Sequence, residues 1–181
     1  MKNLRKQKFG ILMLSAGLLL SGCGAGKTES KGEANSKTGT EATHEHGGQT
    51  TLANGDIQEM TASAKDLPTF LNGKSDELRT IYALAAQVKD VLPWIPCYCG
   101  CGESAGHDSN LNCFIDEVKE DGSIVWDDHG TRCGVCLEIA VESAKMKSEG
   151  KSLTEIRNAI DEKYKTGYAK PTPTPMPTEV N

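Results

Sequence analysis

Aromatic residues are scarce in this chain. It carries two Trp, four Tyr and three Phe among 181 residues. A core built from so few large side chains is thin, so the folded part is small and needs staples, either disulfides or a metal. No apolar run reaches the roughly 20 residues that span a bilayer as a helix; the run from Phe9 to Leu20 stops short. A basic surplus is missing too, since 20 Lys and Arg face 25 Asp and Glu. That excludes a broadly cationic surface for nucleic acid or anionic lipid. The chain has no internal repeat, phosphate-cradling loop, Ser/His/Asp arrangement or paired-carboxylate motif, which removes the usual hydrolytic and phosphoryl-transfer chemistries. Cysteine is absent from most of the chain as well: one lies at position 23, and the other six fall between 97 and 136.

What is present begins with a leader. Lys2, Arg5, Lys6 and Lys8 precede the apolar run, and Leu20-Ser21-Gly22-Cys23 follows it. A basic start, a short apolar segment and small residues before a cut site make a secretory signal. The tetrad resembles the lipobox of bacterial lipoproteins. That resemblance implies cleavage before Cys23, a diacylglyceryl thioether on its sulfur, and export. The mature protein would then sit on the extracytoplasmic face of the cell membrane, held by lipid and without a spanning helix. The other reading is an ordinary signal peptide with an incidental cysteine. The leader holds four of the 20 basic residues and no acidic one, so its removal leaves 16 against 25, a net charge near −9.

Four segments are expected: a signal peptide over 1–22, lipidated Cys23 and a flexible linker over 23–63, a cysteine-rich globular domain over 64–168, and a Pro/Thr-rich tail over 169–181. The linker is rich in Gly, Ser, Thr, Lys and Glu, a composition that buries too little surface to offset its ordering entropy. Within it His44 and His46 form either a weak metal-capture pair or two solvated side chains. The tail alternates proline from Pro171 to Pro177 and reads as extended and solvated.

In the domain, Leu78, Ile81, Tyr82, Ala85, Val88 and Leu92 recur at helical spacing behind a cap at Ser75 or Asp76, and Pro93 and Pro96 end that helix. A second helix follows Cys133, with Leu137, Ala140, Val141 and Ala144 inward and Gly150 at its end. A third starts at the capping box Ser152 to Glu155 and buries Leu153, Ile156, Ile160 and Tyr164. Asp121-Gly122 between Phe114–Val118 and Ile124–Trp126 signals a β-hairpin, with a short helix over 111–118 as the competing reading. The expected fold is therefore mainly α: a small three-helix domain with a short β-hairpin and a cysteine-rich loop cluster.

Cys97, Cys99, Cys101, Cys113, Cys133 and Cys136 share one window with His107, His129, Asp108, Asp127 and Asp128. Export permits disulfides, and six cysteines allow 15 pairings. A bridge inside Cys-x-Cys closes a tight ring and is expected to be strained, so Cys97, Cys99 and Cys101 should each seek a distant partner. Metal binding is the other reading. A bend at Gly100 would make Cys-x-Cys a bidentate chelate, and Cys133-x-x-Cys136 at a helix start is a second chelating pair with acidified thiols. Soft thiolates select copper(I) or zinc. His107 and His129 are candidate ligands or simply turn and capping residues. Trp94, Trp126 and Tyr98 are expected to pack around the cluster. Cys133 and Cys136 alone also match a thiol–disulfide pair, though without the βαβ context of such enzymes.

The motif Pro96-Cys97-Tyr98-Cys99-Gly100-Cys101, with "HDSNLNCF" and "HGTRCGVC" downstream, resembles the PCYCGC-motif lipoproteins of bacteria, over about Phe70 to Tyr164. The resemblance implies a membrane-anchored, extracytoplasmic placement and identifies no substrate. Three functions stay open: a lipid-anchored module holding copper or zinc on the six cysteines with His107 or His129, for metal handling or as a structural staple; a thiol–disulfide protein using Cys133 and Cys136; and a disulfide-stapled interaction domain without chemistry. Membrane and metal ion are the expected partners, and nucleic acid is not.

Overall fold

The structure, a computed structural model, describes residues 48–178. The expected signal peptide, Cys23, His44 and His46 lie outside the described residues. Four strands are present: β1 (Gln49–Thr51), β2 (Ile57–Thr61), β3 (Ile115–Val118) and β4 (Ile124–Asp127). They make one antiparallel sheet in the order β1-β2-β4-β3. The helices are α1 (Asp76–Gln87), the single turn α2 (Gly102–Ala105), α3 (Gly134–Ser148) and α4 (Leu153–Lys163). No helix among the described residues is long and apolar enough to cross a membrane.

The sheet corrects the expected three-helix, mainly α domain. The β3–β4 hairpin forms around Asp121-Gly122, but it is only half of the sheet. The other half, β1 and β2, comes from residues 49–61, inside the stretch expected to be a flexible linker. Asn54-Gly55 turns that second hairpin, with Gly55 at φ 88°, as the favoured hairpin turns require. Central strand β2 pairs with β4 from Gln58 opposite Asp127 to Thr61 opposite Ile124. Its sequence, IQEMT, is polar and carries little strand signal, so its burial is imposed by what covers it. Glu59 shows how. Its carboxylate, 1% exposed, accepts from the Thr69 N–H at 2.7 Å, the Thr69 hydroxyl at 2.9 Å, the Phe70 N–H at 3.2 Å and Gln49 Nε2 at 3.0 Å. Four donors replace its water and tie the sheet to the turn that leads into α1.

The helix expectations hold in outline. Ser75 caps α1, its hydroxyl accepting from the Leu78 N–H. Ser152 and Glu155 cap α4 reciprocally. The buried face of α3 is corrected: it is Cys136, Ile139, Ala140, Ser143 and Ala144, while Val141 is exposed and Leu137 half-buried. Helices α1 and α4 both pack on α3. Tyr82, Phe114 and Trp126 join helices to sheet: Tyr82 meets the Phe114 ring edge-on at 5.1 Å, and its hydroxyl donates to the Asp127 carbonyl at 2.9 Å.

The described part of the Pro/Thr tail is extended, with Pro171, Pro173, Pro175 and Met176 exposed, but Thr174 and Pro177 are buried. It crosses the cysteine loop as a strap. The Ala169 N–H donates to the Tyr98 carbonyl, the Thr172 N–H to the Cys97 carbonyl, and the Cys97 N–H to the Thr172 hydroxyl at 2.9 Å. Thr174 donates to the Asp108 carbonyl. An extended proline-rich chain has no repeating hydrogen-bond ladder of its own, so apart from the Thr174 N–H donating to the Thr172 carbonyl its polar groups can bond a neighbour. Arg157 pins the strap from α4, reaching the Trp94 carbonyl at 2.9 Å and the Pro175 carbonyl at 2.8 Å. Gly102 has to be glycine here, because a Cβ would collide with the Thr172 methyl.

Candidate metal-binding cluster

The six cysteines arrive on separate pieces of chain. Cys97, Cys99 and Cys101 lie on the loop between the turn ending α1's apolar run and α2. Cys113 closes a 3-10 turn over Asn110–Cys113. Cys133 caps α3 and Cys136 occupies its first turn. Asn110 fastens these pieces together: its N–H donates to the Ile95 carbonyl and its side-chain amide to the Cys136 carbonyl.

The sulfurs converge. Cys97 Sγ is 2.9 Å from Cys99 Sγ, 3.4 Å from Cys136 Sγ and 3.9 Å from Cys113 Sγ, and Cys113 and Cys136 are 2.9 Å apart. Cys99 and Cys101 are joined by a disulfide with Cα atoms 5.5 Å apart. This corrects the expectation that local bridges would be avoided. Gly100 adopts φ 82°, a left-handed conformation that glycine enters freely, and the reversal brings its two neighbours together. Cys97, Cys113, Cys133 and Cys136 are free thiols, so the bridged pair is not the Cys133-x-x-Cys136 pair read as redox-active.

Crowded sulfurs share protons unevenly. Contacts with the Cys113 and Cys136 sulfurs pull the Cys97 thiol down to about 3. Contact with the Cys136 sulfur holds Cys133 at about 6. Cys136, in contact with Cys113, Cys133 and Cys97, is pushed far up. For Cys113 the Cys136 contact acts downward, but the Cys97 thiolate and burial outweigh it and the thiol is raised. Cys97 and Cys133 are thus acidified while the more deeply buried Cys113 and Cys136 keep their protons, because further like charges in a water-poor site would repel. A metal cation in place of those protons would remove the conflict.

Both candidate histidines border the sulfurs. His129 Nε2 lies 3.0 Å from Cys101 Sγ, and His107 Nδ1 lies 3.6 Å from Cys113 Sγ. Their rings meet edge-on at 4.8 Å. Burial, and then the neighbouring His129, lower the His107 pKa. The other nitrogen of His129 faces Asp56, with both carboxylate oxygens at 3.1 Å. Asp56, 2% exposed, also accepts from Asn54 at 2.7 Å and pairs with Arg132. A carboxylate behind an imidazole whose far nitrogen faces soft donors is the arrangement that orients histidines at metal sites. Sequence reasoning missed Asp56, which lies in the supposed linker; the Asn-Gly turn beside it was the available signal. Of the acidic residues in the window, Asp127 and Asp128 are buried near His129 and Asp108 is exposed. Trp126 is buried beneath the sheet, and Trp94 is half-buried on the rim of the loop.

Among the described residues, three sulfur groups have donor atoms within 4.8 Å of one another: Cys97/Cys113/Cys136, Cys97/Cys99/Cys101 and Cys99/Cys133/Cys136. Asp56, His107, Asp127 and His129 form a further such group. A cleft of about 730 Å³ between the strap and the loop is lined by Cys97 and His107 with Gly102, Asp108 and residues 169–173.

Residues 11–177 match the model of a family described as "Protein of unknown function with PCYCGC motif". No curated protein and no solved structure matches the chain.

Proposed function

We propose that this chain, which belongs to the family of proteins with the PCYCGC motif, is a lipid-anchored metal-binding protein of the bacterial cell envelope. Its cysteine cluster holds a thiophilic ion, copper or zinc. The observation that carries this reading is the convergence of six sulfurs from three chain segments, three of them buried and four of them unpaired. A purely stapled domain would place its sulfurs in isolated pairs. Cys97, Cys113 and Cys136 are each no more than 1% exposed. Packing four free thiols together with Cys97 and Cys133 acidified is costly unless a cation joins them. The lipobox at Leu20–Cys23 supports the anchored placement, and residues 24–47 are long enough to hold the domain off a membrane surface.

The test is purification of the full chain without oxygen, followed by elemental analysis and thiol counting. Copper or zinc at a fixed ratio to protein is the expected result, lowered in Cys97→Ser. Three disulfides with no metal would sink the proposal.

One observation favours a second reading, thiol–disulfide exchange. Cys97, the most acidified thiol, lies 2.9 Å from a sulfur of the Cys99–Cys101 bridge. In that case a titration with glutathione buffers would show a two-electron couple and no bound metal.

A further inference from the structure

The three sulfur groups overlap in a regular way. Cys97/Cys113/Cys136 and Cys97/Cys99/Cys101 share Cys97; the second and Cys99/Cys133/Cys136 share Cys99; the third and the first share Cys136. Every pair of groups has one sulfur in common, and each remaining cysteine belongs to one group alone. We propose, resting on the metal-binding reading above, that the cluster is a ring of three copper(I) ions, each held by three sulfurs. Cys97, Cys99 and Cys136 are the bridging thiolates, and Cys101, Cys113 and Cys133 are terminal.

Three features of the site support this form over a single ion. Each sulfur group stops at three donors among the described residues, which suits copper(I) and falls short of the four that zinc takes. Thiolate sulfur carries enough lone pairs to bridge two soft ions, so six cysteines can complete three trigonal sites. The histidines supply a separate observation. His129 Nε2 meets Cys101 and His107 Nδ1 meets Cys113, and both of those sulfurs are terminal in the ring. A terminal thiolate keeps more charge than a bridging one and gains more from a polar neighbour. The cleft beside Cys97 and His107 gives the ions a way in beneath the strap.

The Cys99–Cys101 bridge decides how much of the ring can form. Opening it breaks one S–S bond and yields two thiols. The two electrons and two protons come from a dithiol reductant, which itself becomes a disulfide. While the bridge stands, only the Cys97/Cys113/Cys136 group has three free thiols. The oxidised chain therefore takes one copper ion and the reduced chain takes three. Binding releases the remaining thiol protons to the buffer.

The experiment uses the full chain without oxygen, once with the bridge intact and once after reduction by a dithiol and desalting. Copper(I) is supplied from a competing chelator. Elemental analysis gives the ratio, and X-ray absorption reports copper–copper scattering. Three copper ions per reduced chain, with that scattering, and one per oxidised chain are expected. Two variants separate bridging from terminal roles: Cys101→Ser and Cys99→Ser. Both positions are only partly buried, and both changes abolish the same disulfide. Cys101→Ser should keep two copper ions and Cys99→Ser one. Equal loss in the two variants, or one copper per reduced chain without copper–copper scattering, overturns the ring and leaves the metal-binding reading standing. Absence of bound copper and zinc in every form overturns both.

Discussion

Replacing Arg157 by Met tests whether the strap is part of the fold. Met keeps the apolar stem of the side chain and removes the charged head. That head is nearly buried, at 8% exposure for the residue. It pairs with Asp161 at 2.9 Å and donates to three carbonyls: Trp94 at 2.9 Å, Pro175 at 2.8 Å and Thr174 at 3.2 Å. Hydrogen bonds to a charged group contribute about 1.5–3 kcal/mol each, and they do not simply add. Asp161 is partly exposed and recovers water when its partner goes. The two strap carbonyls recover water if the strap lifts. The Trp94 carbonyl has no such escape, and the strap's bonds to Cys97 and Tyr98 are weakened. A net loss of about 3 kcal/mol follows, a fall in Tm of roughly 10 °C for a unit of this size. Circular dichroism melts of the full chain measure the stability. Peptide-resolved alkylation of Cys97, 1% exposed with the strap in place, measures the uncovering and should quicken at least tenfold. Arg157→Lys should rescue little, since a single ammonium cannot span a carboxylate and three carbonyls. A melt within about 2 °C of the parent, with Cys97 alkylation unchanged, would refute the account of the strap.

Three further outcomes are expected. A chain beginning at residue 62 lacks β1, β2, Asp56 and Glu59 and should fail to melt cooperatively, whereas one beginning at residue 48 should fold; amide exchange of Ile124–Asp127, whose partners are in β2, distinguishes them. Glu59→Gln turns either Oε1, which accepts from the Thr69 N–H, or Oε2, which accepts from the Phe70 N–H, into a donor, and should lower stability by about 2 kcal/mol in urea titration; no change in midpoint would mean that the turn is held otherwise. Cys23→Ser should move the protein from the membrane fraction to the soluble one and remove the lipid mass seen by spectrometry of the intact chain; retention of the lipid on another residue would exclude the proposed anchor.

The helices were legible because their apolar stripes and caps are local. Ser75 and the Ser152–Glu155 box mark their helix starts through hydrogen bonds three residues long. The β3–β4 hairpin was legible for the same reason. Strands β1 and β2 were not, although Asn54-Gly55 announced a turn. Gln58 and Glu59 are buried there by partners 69 and 10 residues away, and composition read their polarity as solvation. The inward face of α3 was misjudged by part of a turn, because Leu137 and Val141 suit a core stripe as well as Ile139 does. Only the packing of α1 and α4 selects between them.

The sequence by itself determined where the cysteines lie and that any chemistry they carry rests on sulfur. Six cysteines and two histidines fall in one window. Spacing could not say which sulfurs meet. Cys-x-Cys looked too tight to bridge until Gly100 turned left-handed, and Cys113 had no assignable partner until Asn110 joined its turn to Ile95 and α3. The tertiary structure decided that the six sulfurs form one centre, that each histidine faces a different sulfur, and that Asp56 and the proline strap close over them. These are contacts between residues tens of positions apart, fixed by burial and by hydrogen-bond satisfaction. Neither leaves a periodic trace in the chain.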